Sequence, residues 1–196
     1  MKYLLVGLLF LAGCASTQQG PVNADIVPPV KDSEYAALIN KLSQRQQAYD
    51  GFYNMYQAYV LLITSEMENE ILQRKGNFLQ WSQAQWRAEK EKAAQVMSSE
   101  TTVMLSFYSP DFQYDDFAKG NSIWRVYLEV NGQRYEGKAS KNTDKLVTQQ
   151  NVYPFHERFN TLYALRFGVP TTVTETAEPV LVITSSLGTS TFKFKP

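Results

Sequence analysis

The chain has 196 residues, with 19 Lys and Arg against 19 Asp and Glu, a single His and a single Cys. Charge this balanced gives no pull toward nucleic acid or an acidic polymer, so neither is expected as a partner. One cysteine permits no internal disulfide, which leaves 12 Tyr, 11 Phe and 3 Trp to supply much of the burial that holds the fold.

In chain order, Met1 and Lys2 give a minimal positive start, Tyr3 to Leu11 is a nonpolar run, and small residues follow. That layout is a secretory signal, and it is too short to span a bilayer as a helix. It closes on Leu11-Ala12-Gly13-Cys14. These four residues resemble the lipobox of bacterial lipoproteins. The resemblance covers residues 1–16 and implies peptidase cleavage between Gly13 and Cys14. It also implies diacylglycerol on the Cys14 thiol, an acylated Cys14 amino group, and attachment to the membrane through these chains. An ordinary secretory signal with an incidental cysteine is the competing reading. Ala15 and Ser16 stand where an aspartate would mark inner-membrane retention. The expected address is therefore the bacterial outer membrane, with the folded part facing the periplasm or the medium. One fourteen-carbon chain anchors only marginally, at about 0.8 kcal/mol per buried methylene, whereas two or three hold durably.

Residues 14–31 are small, polar and interrupted by Pro21, Pro28 and Pro29, which suits a tether and neither a helix nor a sheet interior. At Asp32-Ser33 the pattern changes. Apolar or aromatic residues recur at Tyr35, Leu38, Ile39, Leu42, Tyr49, Tyr53, Tyr56, Val60, Ile63, Met67 and Ile71, in steps that favour a helix. Gly51 interrupts that stripe, and Gly76-Asn77 reads as a helix end followed by a new cap. Residues 32–99 are expected to be helical, either as an antiparallel hairpin of two long helices or as one bent helix. The stripe serves either as a docking surface for a partner or as scaffold packed on the following domain. The Gln, Arg and Tyr in it argue for scaffold.

From Thr101 the period becomes two. Thr101–Tyr108 is rich in strand formers and stops at Ser109-Pro110. Residues 112–121 read as a loop with a helical turn. Trp124 to Val130 alternates, Asn131-Gly132 is a hairpin signal, and Gln133 to Ala139 returns. Tyr163 to Phe167 alternates again, and Val180 to Thr184 pairs with Thr189 to Phe194. Six strands without a long intervening helix predict an antiparallel β-sandwich of immunoglobulin-like architecture over residues 100–196, giving an α+β chain.

Chemistry is sparse. His156 would need a nucleophile and an orienting carboxylate brought to it to act as a base; otherwise it is a packed or surface residue. Zinc-ligand spacings, a phosphate loop and a nucleophile elbow are missing from the sequence, and no cofactor is expected. Asp111, Asp115 and Asp116 are weak candidates for calcium, set against a solvated turn. Trp81, Trp86 and Trp124 are either core or a sugar-stacking platform. Three functions follow. The first is a non-enzymatic envelope module binding another envelope protein or its own copies, and the second is a ligand-binding lipoprotein with an aromatic-lined pocket for a glycan or small molecule. The third is a hydrolase built on His156.

Overall fold

A computed structural model describes residues 27–195. Cys14, Gly13, the signal reading and residues 14–26 of the tether lie outside these residues. At the end of the expected tether, by contrast, Val27 is buried beside Gly76 and the Pro28 carbonyl accepts from the Asn77 side chain at 2.7 Å. Eight strands dominate: β1 (Ser43–Asp50), β2 (Tyr53–Leu62), β3 (Thr101–Tyr108), β4 (Arg125–Val130), β5 (Gln133–Lys141), β6 (Thr161–Phe167), β7 (Val180–Ser185) and β8 (Gly188–Lys193). They form one antiparallel sheet in the order β1-β2-β3-β6-β5-β4-β7-β8. Five helices accompany them: α1 (Asp32–Leu42), α2 (Ser65–Phe78), α3 (Gln83–Met97), α4 (Leu146–Val152) and α5 (Thr171–Glu175).

The sheet curls until its two ends meet. Gln44 and Gln46 of β1 donate their side-chain amides to the Lys193 and Thr191 carbonyls of β8, the second bond at 2.5 Å. No backbone ladder joins these two strands, so the barrel is nearly closed and its last seam is bridged by side chains. Curvature is concentrated in β5. Its Gln133–Glu136 half pairs with β4 and its Gly137–Lys141 half with β6. At the crossover a Cβ on Gly137 would stand 2.6 Å from the Phe167 ring, so only glycine lets the strand pass beneath that ring.

This overturns the expected architecture. The chain is not a helical hairpin followed by an immunoglobulin-like sandwich. The long helix over 33–75 is replaced after Leu42 by the β1–β2 hairpin. Tyr49, Tyr53, Tyr56 and Val60 do recur in threes and fours, but Tyr56, Ala58, Val60 and Leu62 also alternate, and those four are fully buried. The reversal is Gly51-Phe52 between the paired Asp50 and Tyr53, with Gly51 at φ +59°. Glycine at the first central position suits a two-residue turn that a helix cannot use. Adding β1 and β2 to the six expected strands gives the eight over which the sheet curls on itself.

The barrel interior is filled. Tyr56, Phe107, Phe117, Trp124 and Tyr163 make an aromatic cluster, with Phe117 stacked on Trp124 at 4.8 Å and Tyr56 edge-on to the same indole at 5.0 Å. Aliphatic residues such as Val60, Leu105, Leu128, Leu165 and Ile183 occupy the remainder. A second core lies outside, where α1, α2 and α4 cover the outer face of β2, β3 and β6 through Tyr35, Ile39, Met67, Ile71, Met104 and Leu162. No described helix is long and apolar enough to cross a membrane, so membrane attachment through a spanning helix has no support among these residues.

Candidate ligand-binding groove

α2 is built to present two faces. Thr64 caps it, its hydroxyl accepting from the Met67 amide at 3.1 Å, and Met67 and Ile71 point into the outer core. One step round the helix, Glu68 and Leu72 face α3. α2 continues through Gly76 and Asn77 to Phe78, so the expected break there does not occur. The chain turns back at Leu79–Ser82, where the Trp81 ring lies against the bare Cα of Gly76. Ser82 then caps α3, accepting from the Gln85 amide at 3.2 Å.

α3 contains no fully buried residue. It runs back beside α2 without settling on the sheet, and space remains beneath it. One cavity of about 260 Å³ lies between Val96 and Met97 of α3 and the floor made by Ile63, Met104 and Ala164. A second, of about 370 Å³, opens between Ala93, Ala94 and Met97 of α3 and Leu72 of α2. A third, of about 210 Å³, extends toward Trp81, Thr148 and Tyr153. All three share Glu68 and Leu72. They form one groove, aliphatic in its two larger parts, in which Glu68 is the carboxylate common to all three.

The charges along this groove are mostly spent on each other. Lys92 bonds Glu89 at 2.7 Å, Lys75 bonds Asp144 at 2.6 Å, Arg166 lies 4.0 Å from Glu100, and Lys90 sits over the Trp86 ring at 4.7 Å. Glu68 makes no side-chain hydrogen bond among the described residues. Burial raises its pKa above the usual carboxylate value, and the positive field of Lys75 only partly opposes that. A carboxylate perturbed by burial in a cleft is a candidate functional group. The sequence offers a misleading cue for it, since Ser65-Glu66-Met67-Glu68 reads as a capping box. Because Thr64 takes the cap, Glu68 falls one position further into the helix and faces the groove.

The residues singled out from sequence lie elsewhere. His156 is buried, its Nδ1 sharing a 2.9 Å hydrogen bond with Ser106 Oγ on the outer face of β3. Asn160 donates to that same oxygen at 2.9 Å, and the second ring nitrogen, Nε2, is buried without a hydrogen-bond partner among the described residues. Burial lowers the His156 pKa, against a smaller upward pull from Glu157. A serine does reach the histidine, but both are buried and no carboxylate orients the ring. The cavities beneath α3 include neither residue.

Asp111, Asp115 and Asp116 are used separately. Asp111 caps the single 3-10 turn at Phe112–Tyr114, Asp115 accepts from Thr161 Oγ1 and Tyr163 OH at 2.5 and 2.9 Å, and Asp116 accepts from Ser122 Oγ at 3.0 Å. Among the described residues no three His, Cys, Asp or Glu side chains converge as a ligand set. Trp124 lies in the barrel core, its indole N–H donating to the Tyr114 carbonyl at 2.7 Å. The two larger cavities are thus lined by aliphatic side chains and methionine with polar residues at their rims, and the third, mostly polar, brings in Trp81 and Tyr153 at one end.

In comparisons with protein-family models, curated proteins and solved structures, nothing matches this chain. No catalytic motif is identified in it.

Proposed function

We propose that this domain binds an apolar small molecule in the groove beneath α3 and does no chemistry on it. The carrying observation is where open space and apolar surface coincide. The barrel interior is packed with side chains, whereas α3 spans an aliphatic cleft it does not fill. Small-molecule sites are typically apolar concavities with a few placed polar groups, and this cleft has that composition. The lipid expected on Cys14 would hold the binding domain at the cell envelope, at the end of a proline-bearing tether.

The test is the fluorescence of N-phenyl-1-naphthylamine, an uncharged probe that brightens in apolar surroundings, titrated with wild type and Ala93→Trp. Ala93 lines both of the larger cavities and is only half-buried, so an indole there fills the groove without entering the core. Wild type is expected to enhance the probe saturably and Ala93→Trp to lose most of that signal. Equal enhancement by the two would place the probe elsewhere and overturn the proposal.

A further inference from the structure

We infer that the ligand of this groove carries a cation, most simply a primary ammonium at the end of an aliphatic chain, and that Glu68 selects it. The inference deepens the binding reading above and depends on it. Glu68 is the one charged residue lining the groove for which no ion pair, hydrogen bond or cation–π partner is found among the described residues. The other lining charges, Glu89 with Lys92, Lys75 with Asp144, Arg166 near Glu100 and Lys90 over Trp86, are engaged.

Its position matches that role. Glu68 stands where the three cavities meet, and the aliphatic lining of Ile63, Leu72, Met104, Val96 and Met97 leads away from it. A ligand with its head on the carboxylate and its chain along these side chains would satisfy the orphan charge and cover the apolar wall together. A carboxylate-headed chain in that pose would bring two negative groups together in a partly dehydrated cleft, which disfavours fatty acids. An alcohol would gain the apolar contact and one weaker hydrogen bond. The resulting order of preference is amine, alcohol, carboxylate.

The experiment displaces bound N-phenyl-1-naphthylamine with decylamine hydrochloride, decanol or decanoate at neutral pH, below micelle formation, on wild type and Glu68→Gln. Wild type is expected to prefer decylamine over decanol by roughly tenfold, the worth of one charge-assisted hydrogen bond. In Glu68→Gln that preference shrinks to about twofold because decylamine weakens, while decanol, which keeps the amide oxygen as its acceptor, changes by no more than about twofold. Thermal melting of the variant, expected at or above the wild-type temperature, separates lost recognition from lost folding. Equal affinity for decylamine and decanol in wild type, or tighter decanoate, overturns the cation while leaving the groove as a binding site. A preference for decylamine that survives in Glu68→Gln overturns the role of Glu68. Failure of all three compounds to displace the probe overturns the groove itself.

Discussion

Burial shifts both Glu68 and His156 toward their neutral forms, and they respond to acid in opposite ways. The folded pKa of Glu68 is raised, so as pH falls toward 4.5 the folded chain takes up that proton before the unfolded one and stability rises. At neutral pH the charge is a liability. Glu68→Gln should therefore stabilise the domain at pH 7 in urea unfolding, with the gain shrinking as pH falls toward 4.5. The folded pKa of His156 is lowered, so the unfolded chain protonates first once pH drops below 6.5, and stability is lost from there downward. His156→Phe should remove that part of the loss, seen as a smaller difference between unfolding midpoints at pH 7.5 and 5.5. Phe52 is a contrasting case. It is fully exposed at the tip of the β1–β2 hairpin, flanked by the exposed Tyr49 and Tyr53. Phe52→Ser should shift stability by no more than about 0.5 kcal/mol.

Among the elements, β5 and the β1–β2 hairpin carry the most information per residue. Gly137→Ala would press a methyl group into the Phe167 ring at the bend of β5, with the Val126 carbonyl 3.2 Å away on the other side. The expected cost is about 1–3 kcal/mol, against little change for Gly120→Ala, where open space surrounds the site. Unfolding midpoints of the two variants provide the comparison. Asn131 and Gly132 both have positive φ, at 50° and 79°, as the Asn-Gly pair between Val130 and Gln133 implies, so this hairpin was legible from two letters. The other hairpin was not. Asp50-Gly51 carries a similar signal, but the apolar steps around it satisfy a helical period and a strand period together. Burial chooses between them, and burial depends on partners such as Val103, Leu105 and Phe107, which lie across the sheet and far along the chain.

For the whole molecule, local pattern located most strands, including Thr101–Tyr108 and the Val180–Lys193 pair, but it could not count them into a closed cylinder. Closure depends on β1, whose Ser43-Gln44-Arg45-Gln46-Gln47 start is too polar to read as sheet. The candidate site was less legible still. The one sequence feature that separates Glu68 from Glu66 and Glu70, its capping-box spacing from Ser65, points away from a groove, and only the return of α3 makes Glu68 the centre of one. Covering the outer face of β2, β3 and β6 with helices also divides the barrel wall into a clad side and a bare side, so that hydrogen exchange should be slowest in β2, β3 and β6. Exchange in β1 and β8 should be faster than in any other strand. Replacing both Gln44 and Gln46 with Ala should speed those two strands further, with little change in β3 or β6.

The seam between β1 and β8 gives the barrel a clasp. A cylinder held by backbone ladders all the way round can be entered only by breaking a strand pair. Here two glutamine side chains are the fastening, and each can rotate away with its own strand left intact. The wall is in effect a ribbon buckled into a ring, and an opening there would uncover Phe192 and Tyr56, whose hydroxyl shares a hydrogen bond with Ser190 of β8, before it disturbed the helix-clad core around Met104 and Leu162.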